Sequence, residues 1–415
     1  MAFAMATLEL PDSLATVLDA VTAVSGPYEG VYLVGGSVRD ILLGEPNFDV
    51  DIVVEGDAIA LARELAKKLD GRVRAHRTFG TAVVLYGEEG RVDVVTARSE
   101  SYHAPAVLPA VKPGTIDEDL HRRDFTINAM AVSLKGDALG ELVDPFGGRS
   151  DLEAGRIRIL HERSFIDDPT RILRAIRYED RYGFRMDDET VRLARECIAT
   201  GHVGDLSGAR LRDELEALLS EGDVSHAIPR LAELGAEREV HPHVVADEET
   251  VRLFDRLREL NKHYRLGVPP WRLGLAALGR RLPHQEIGPW LRDLKLRRRD
   301  AELIAAAIEH GPRIAAELGR DSLSPADVVA LAEPRAPDAP LFALALDDQR
   351  QLHDYFDRLG ELKLEITGAD LAELGLAESP RVGEILAEVR RRKLNGELAG
   401  RESQLEAARE LVEQP

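Results

Sequence analysis

Apolar and polar positions change their period along this chain, and the change divides it. Leu14, Val17, Leu18, Val21 and Val24 recur at helical spacing, with Asp12 or Ser13 as a cap. From residue 31 to 96 short β-branched runs take over: Val31–Val34, the apolar run after Gly44 that carries Asp49 and Asp51, Arg72–Ala75, Thr81–Tyr86 and Arg91–Thr96. Helical patterns over Val38–Leu43 and Asp57–Leu69 lie between them, which predicts a small mixed α/β head. Glu100–Thr115 is proline-rich without sustained period and reads as a mobile loop of the kind that gates a site. Beyond Asp151 the spacing is helical, broken by proline and glycine. With 415 residues, roughly three domains are expected.

The informative stretch is Val31–Val54, VYLVGGSVRDILLGEPNFDVDIVV: strand, glycine turn, helix, strand. Gly35 and Gly36 lack Cβ atoms, so a ligand can approach the backbone, and the following helix aims free N–H groups at it. Such a turn suits phosphate, although alone it is also an ordinary turn. Asp49 and Asp51, two apart on a strand, share a face and can share divalent cations. Asp93, inside the last strand, is either a third carboxylate at that place or a surface residue.

Together, the glycine turn and the D-x-D pair match every fixed position of L-V-G-G-x-V-R-D-x-L-L-G followed by D-x-D. This resembles motif A of the polymerase-β-like nucleotidyltransferases, specifically the class II tRNA nucleotidyltransferase and bacterial poly(A) polymerase superfamily. R-R-D-F-T-I-N-A-M-A, from Arg122 to Ala131, resembles the same superfamily's motif B. The resemblance implies an α+β protein: a small mixed-sheet nucleotidyltransferase head over 1–150, then an all-α neck (151–239), body (240–360) and tail (361–415). It implies Asp49 and Asp51 as catalytic Mg²⁺ ligands, Gly36, Ser37 and Arg39 on the triphosphate, and Arg123 and Asp124 on the phosphates and ribose of the incoming nucleotide.

In the neck, D-D-P-T-R-I-L-R-A-I-R begins at Asp167. Pro169 fits the start of a helix, so one aspartate caps it. Capping does not account for Arg171, Arg174 and Arg177, which leave Ile172, Leu173 and Ile176 to pack and hold cations along the helix. This place resembles motif D, usually E-D-x-x-R, whose Asp and Arg act as an amino-acid template for the base; Asp167 replaces the usual Glu. Cytosine and adenine both present an amino donor beside a ring-nitrogen acceptor, which a carboxylate and a guanidinium complement, whereas uracil and guanine present the opposite pair. Asp168 and Arg171 are therefore expected to favour C and A. Gly208–Leu215 resembles motif E and reads as a structural brace.

In the body, His241-Pro242-His243 has no flanking carboxylate cluster and reads as a loop pair of histidines, while Lys295 with Arg297–Arg299 is either a phosphate-contacting patch or a solvated face. The tail resembles the segment of class II CCA-adding enzymes that meets the tRNA elbow, with Arg390, Arg391, Arg392 and Lys393 as basic contacts.

Charge and cysteine content narrow the reading. Asp+Glu number 74 against Lys+Arg 54, a net charge of −20, which excludes a generally basic nucleic-acid-coating protein and requires any RNA contact to be local. A single cysteine, Cys197, excludes an internal disulfide framework and suits the cytoplasm. No apolar run approaches the ~18 residues of a membrane span. The expectation is a tRNA nucleotidyltransferase using CTP and/or ATP to add CC, A or CCA. The alternatives are a poly(A) polymerase and a catalytically silent RNA-binding protein.

Overall fold

The computed structural model describes residues 8, 10–45, 49–319, 323–376 and 378–414, without the side chain of Ser13. Two compact units are present, one of residues 1–214 with 221–239, the other of 215–220 with 240–415.

In the first unit the expected strands form, as β1 (Gly30–Val34), β2 (Val50–Glu55), β3 (Arg72–His76), β4 (Thr81–Tyr86) and β5 (Gly90–Thr96). They join later strands in a seven-stranded sheet of order β3-β4-β5-β2-β1-β8-β9, where β8 is Ala131–Ser133 and β9 is Leu142–Val143. Between these lie β6 (Arg98–Ser101) and β7 (Ala110–Pro113). β2 and β5 run parallel; the other sheet neighbours are antiparallel. The parallel pair needs a crossover, supplied by the helix Ala58–Lys68, whose Asp57 caps it by accepting from the N–H groups of Ile59 and Ala60. That helix buries Leu61, Ala62 and Leu65 against the sheet. The helix Ala15–Val24 follows a 3-10 turn, Asp12–Leu14, and neither has a side-chain cap bond; the proposed Ser13 cap lies outside the described side chains.

The segment expected to be a mobile loop is ordered into a two-stranded ribbon. β6 and β7 pair from Arg98↔Pro113 to Ser101↔Ala110. Its prolines occupy the connection and the end of the ribbon, where no ladder N–H is required, so composition concealed the pairing. Leu108 at the tip is 79% exposed.

Among the described residues, the regular elements of the second unit are all helices. Its longest helix, Arg298–Leu318, places Gly311 against the Phe342 side chain, an approach that a Cβ would block. Its C-terminal part has a small core of Ile366, Leu371, Ile385, Val389, Ala407 and Ala408. Cys197, in the first unit, is buried, and burial pushes its thiol up to about 12, which leaves it inert. Among the described residues no helix is long and apolar enough to cross a membrane.

Candidate active site

The turn between β1 and the helix Gly36–Leu43 is tightly determined. Gly35 adopts φ +65°, ψ −124°, and a Cβ there would run into the Arg123 guanidinium, so the position needs glycine on both counts. Ser37, buried, donates its hydroxyl to the carbonyl of Asp49 and accepts from the N–H of Asp51 at 3.2 Å. Its side chain thus ties the helix start to β2, and only the backbone of Gly36 and Ser37 is left for a phosphate. Arg39, also buried, forks onto Asp40 (2.8 and 3.0 Å), donates to Asn128 Oδ1 at 2.6 Å and lies 4.8 Å from the Tyr182 ring centroid.

Asp51 lies on β2 directly opposite Asp93 on β5, in parallel register. Asp49 precedes the first residue of β2 and is exposed. Burial pushes the Asp51 carboxyl above its ordinary range; the charges of Asp93 and Asp49 push it further, against Arg123 and Arg91. Asp93 is held by both ends of the Arg91 guanidinium, at 2.7 and 3.0 Å. Carboxylate oxygens are the donors a hard divalent cation takes, and the repulsion that Asp93 and Asp49 exert on Asp51 is what such an ion would relieve, although the three do not converge on one point as they stand.

Motif B folds back onto this turn. Arg123 pairs with Asp119 at 3.0 Å. Asp124 accepts from Asn128 Nδ2 at 2.9 Å and from Arg174 Nε and Nη2 at 2.9 and 2.6 Å. Burial would raise the Asp124 carboxyl, but the Arg174 charge and the bonds from Asn128 and Arg174 outweigh it and hold it at about 2. Asn128 therefore joins Arg39 to Asp124, a role the sequence reading did not assign.

The helix Thr170–Tyr182 starts at Pro169, and Asp168 accepts from the Thr170 N–H at 3.1 Å and its hydroxyl at 2.5 Å. Arg210 donates to the same oxygen, Oδ1, at 2.6 Å. Arg171, buried, donates to Ser164 Oγ at 2.6 Å and the Arg122 carbonyl at 2.7 Å.

A cavity of about 570 Å³ gathers these elements. Its walls include Gly36, Arg39, Asp51, Arg123, Asp124, Asp168, Arg171 and Arg174, together with Asn128, Tyr178, Arg210 and Glu214. Arg177 does not line it and instead faces Glu214 and Glu221 at 3.7 and 3.6 Å. Motif E, read as a brace, contributes two wall residues: Arg210 and Glu214 stand four apart on one helix face, a spacing visible in the sequence, though their partners across the fold are not. Tyr178 could have been found likewise, since it lies on the helix face of Arg171 and Arg174.

In the second unit, the four basic tail residues do not form a bare cationic face. Arg390 forks onto Glu333 at 2.7 Å, Arg391 and Arg392 share Glu388 at 2.7 and 3.1 Å, and Lys393 reaches Glu365 at 2.7 Å. The helix Pro380–Leu394 carries its own partner, Glu388, and neighbouring segments supply the others. Each positive charge expected to meet RNA is thus matched by a carboxylate. Sequence showed the cations adjacent; the matching acids are mostly distant in the chain.

Family models match twice: a poly A polymerase head domain over residues 31–158, and a probable RNA and SrmB-binding site of polymerase A over 183–247. An A-adding tRNA nucleotidyltransferase of Geobacter sulfurreducens is 35% identical over 397 residues, 92% of this chain, but the chain spans only 45% of that relative's length. One of Halalkalibacterium halodurans is 34% identical, covering 92% of this chain and 88% of the relative. A solved Thermotoga maritima CCA-adding enzyme, complexed with tRNA, superposes with a TM-score of 0.79 at 30% identity, covering 97% of each chain. With its glycine turn, its aspartate-bearing strand and a likeness that covers 88% of the Halalkalibacterium halodurans relative, the chain belongs to the class II tRNA nucleotidyltransferase and poly(A) polymerase family.

Proposed function

We propose that this protein adds nucleotides to the 3′ end of tRNA from ATP or CTP, with terminal A addition as its main activity. The observation that carries this reading is the single cavity bounded by the glycine turn, Asp51 and the Asp168–Arg171 helix start. The A-adding relatives that match 92% of this chain favour ATP over CTP. In the reaction the tRNA 3′-oxygen attacks the α-phosphorus, the bond from that phosphorus to the bridging oxygen breaks, and pyrophosphate leaves. Asp49 and Asp51, with Asp93 beside them, would hold Mg²⁺, which when bound supplies a lowered pKa of the 3′-hydroxyl and charge stabilisation at the α-phosphate and leaving group.

The chain's own groups do the rest. The backbone N–H groups at Gly36 and Ser37 bind the triphosphate. Arg123 sits beside the same turn, where its charge meets phosphate, and Asp124, fixed by Arg174 and Asn128, faces the ribose. Among the described residues the bonds to Asp168 fall on Oδ1, which leaves Oδ2 for the amino group of adenine or cytosine, with an Arg171 N–H for the ring nitrogen. Arg210 orients Asp168. In this division the head, 1–150, does the chemistry and the neck, 151–239, selects the base, with the body, 240–360, and the tail, 361–415, following.

Transcripts ending before the first C, after the second C, or complete, each offered ATP, CTP or both, test the reading. One A added to the CC-ended transcript is expected. Long A tracts would instead identify a poly(A) polymerase, C addition a CC- or CCA-adding enzyme, and no incorporation a silent RNA-binding protein.

Arg171→Ala is expected to lower discrimination against UTP and GTP by roughly ten- to hundredfold, the ~1–3 kcal/mol typical of a base-reading hydrogen-bond pair. Single-turnover rates with each of the four nucleotides, alongside thermal melting, measure it. An equal fall for all four in a folded variant would make this arginine a brace between Ser164 and the Arg122 carbonyl.

A further inference from the structure

The second unit contains a group of side chains that shares no residue with the cavity described above. The turn after the helix Glu237–Val240 presents His241 and His243 on either side of Pro242, and the first turn of the helix His284–Asp293 presents Glu286. Two imidazole nitrogens converge on one carboxylate oxygen: His243 Nδ1 lies 2.6 Å and His241 Nε2 3.6 Å from Glu286 Oε2. The three donor atoms all lie within 4.8 Å of one another. Among the described residues no other trio of histidine, cysteine or carboxylate donors is this close.

We infer that His241, His243 and Glu286 form a binding site for a divalent transition metal of the zinc class, clamping the 241–243 turn to the helix His284–Asp293. Two imidazoles and one carboxylate make a three-ligand set that Zn²⁺ accepts, with a fourth tetrahedral position left to water. Ligand atoms about 2.0–2.1 Å from such an ion stand roughly 3.3 Å apart. The observed separations reach that value by small rotations of His243 and Glu286, whose side chains are 51% and 34% exposed and free to turn. His241 is the fixed member, with 18% of its side chain exposed and its ring 6.2 Å from that of Trp290. Loading through Nε2 places the proton on Nδ1 and gives up one bond, that from the His243 N–H to His241 Nδ1 at 3.2 Å. In the sequence the histidine pair lacks a partner because Glu286 lies 43 residues beyond His243.

The test uses the full chain carrying Asp49→Asn and Asp51→Asn, which removes metal binding at the catalytic strand. After chelator treatment and dialysis it is titrated with Zn²⁺ alone against a chromophoric competitor, and with Co²⁺ for its visible absorption. One equivalent of Zn²⁺ is expected, with a Co²⁺ spectrum of four-coordinate type. His243→Ala and Glu286→Gln should each weaken Zn²⁺ at least tenfold and abolish that spectrum, while metal-free melting temperatures match the parent. His243→Ala alters a half-exposed side chain and keeps the test open if His241→Ala fails to fold. Failure of the parent to take up one equivalent, or equal affinity in parent and variants, overturns the site.

Discussion

Asp51→Asn is expected to lower nucleotide incorporation by about three orders of magnitude or more while tRNA binding stays near that of the unmodified protein. The substitution keeps shape and removes the charge that would hold the catalytic ions, a loss worth several kcal/mol of transition-state stabilisation, at ~1.4 kcal/mol per tenfold in rate. Asp49→Asn should behave alike. Single-turnover incorporation and filter binding separate the two effects, and near-normal turnover in either variant would remove these residues from the chemistry. Stability should move the other way. Because burial and the Asp93 and Asp49 charges raise the Asp51 carboxyl in the folded state, its favourable contribution is present below the unfolded pKa and lost as pH rises through the folded value. Above that value the metal-free protein carries the cost of an ionised acid under the repulsion of Asp93 and Asp49. Asparagine imitates the protonated form, so the inactive variant should melt no lower than the parent. Such a result would identify the aspartate as retained for function against stability.

The largest loss of stability is expected from Arg174→Met. Asp124 is buried and takes two hydrogen bonds from Arg174, so removing the guanidinium leaves an uncompensated carboxylate, a change costing about 3–5 kcal/mol. Pairing it with Asp124→Asn should recover part of that, since the stranded charge is then gone. Urea unfolding of both variants measures the difference; equal destabilisation of single and double variants would show that the guanidinium acts through packing on Tyr178 instead. The same pair governs acid behaviour. With the folded pKa of Asp124 at about 2, below the ~3.9 of an unperturbed aspartate, its contribution is present above the unfolded value and lost as pH falls toward 2. Asp124→Asn should flatten the stability profile between roughly pH 4 and 2.

Much of the head was legible because local rules and tertiary packing agree there. Short apolar runs placed five of the seven sheet strands to within a residue or two but not the short β8 and β9, Asp57 marked its helix start, and the glycine turn preceded the helix as expected. The ribbon 98–113 was missed because its pairing depends on partners across a proline-rich turn, which no local period records. Candidate site residues at which motif and chemistry coincide, Asp51, Asp168 and Arg171, are gathered around one cavity. Others escaped because their role is relational: Asn128 matters for joining Arg39 to Asp124, and Arg210 for meeting Asp168. The tail cations show the converse, since their adjacency was visible whereas Glu333 and Glu365, which meet Arg390 and Lys393, lie far off in the chain.

β2, which carries Asp51, is paired on both sides, with β1 and β5, inside a seven-stranded sheet, whereas Asp168 and Arg171 stand at the beginning of a helix that follows the head. In the proposed reading, bond making and base choice would thereby be written on separate stretches of backbone. A lineage built on that plan could alter which nucleotide it accepts by exchanging a few side chains around one helix start, and the strand that carries Asp51 need never be disturbed. The interior strand tolerates almost no such experiment, because every change to it touches two neighbours at once. Diversification of this scaffold would thus be confined to its choice of base, with the reaction itself held constant.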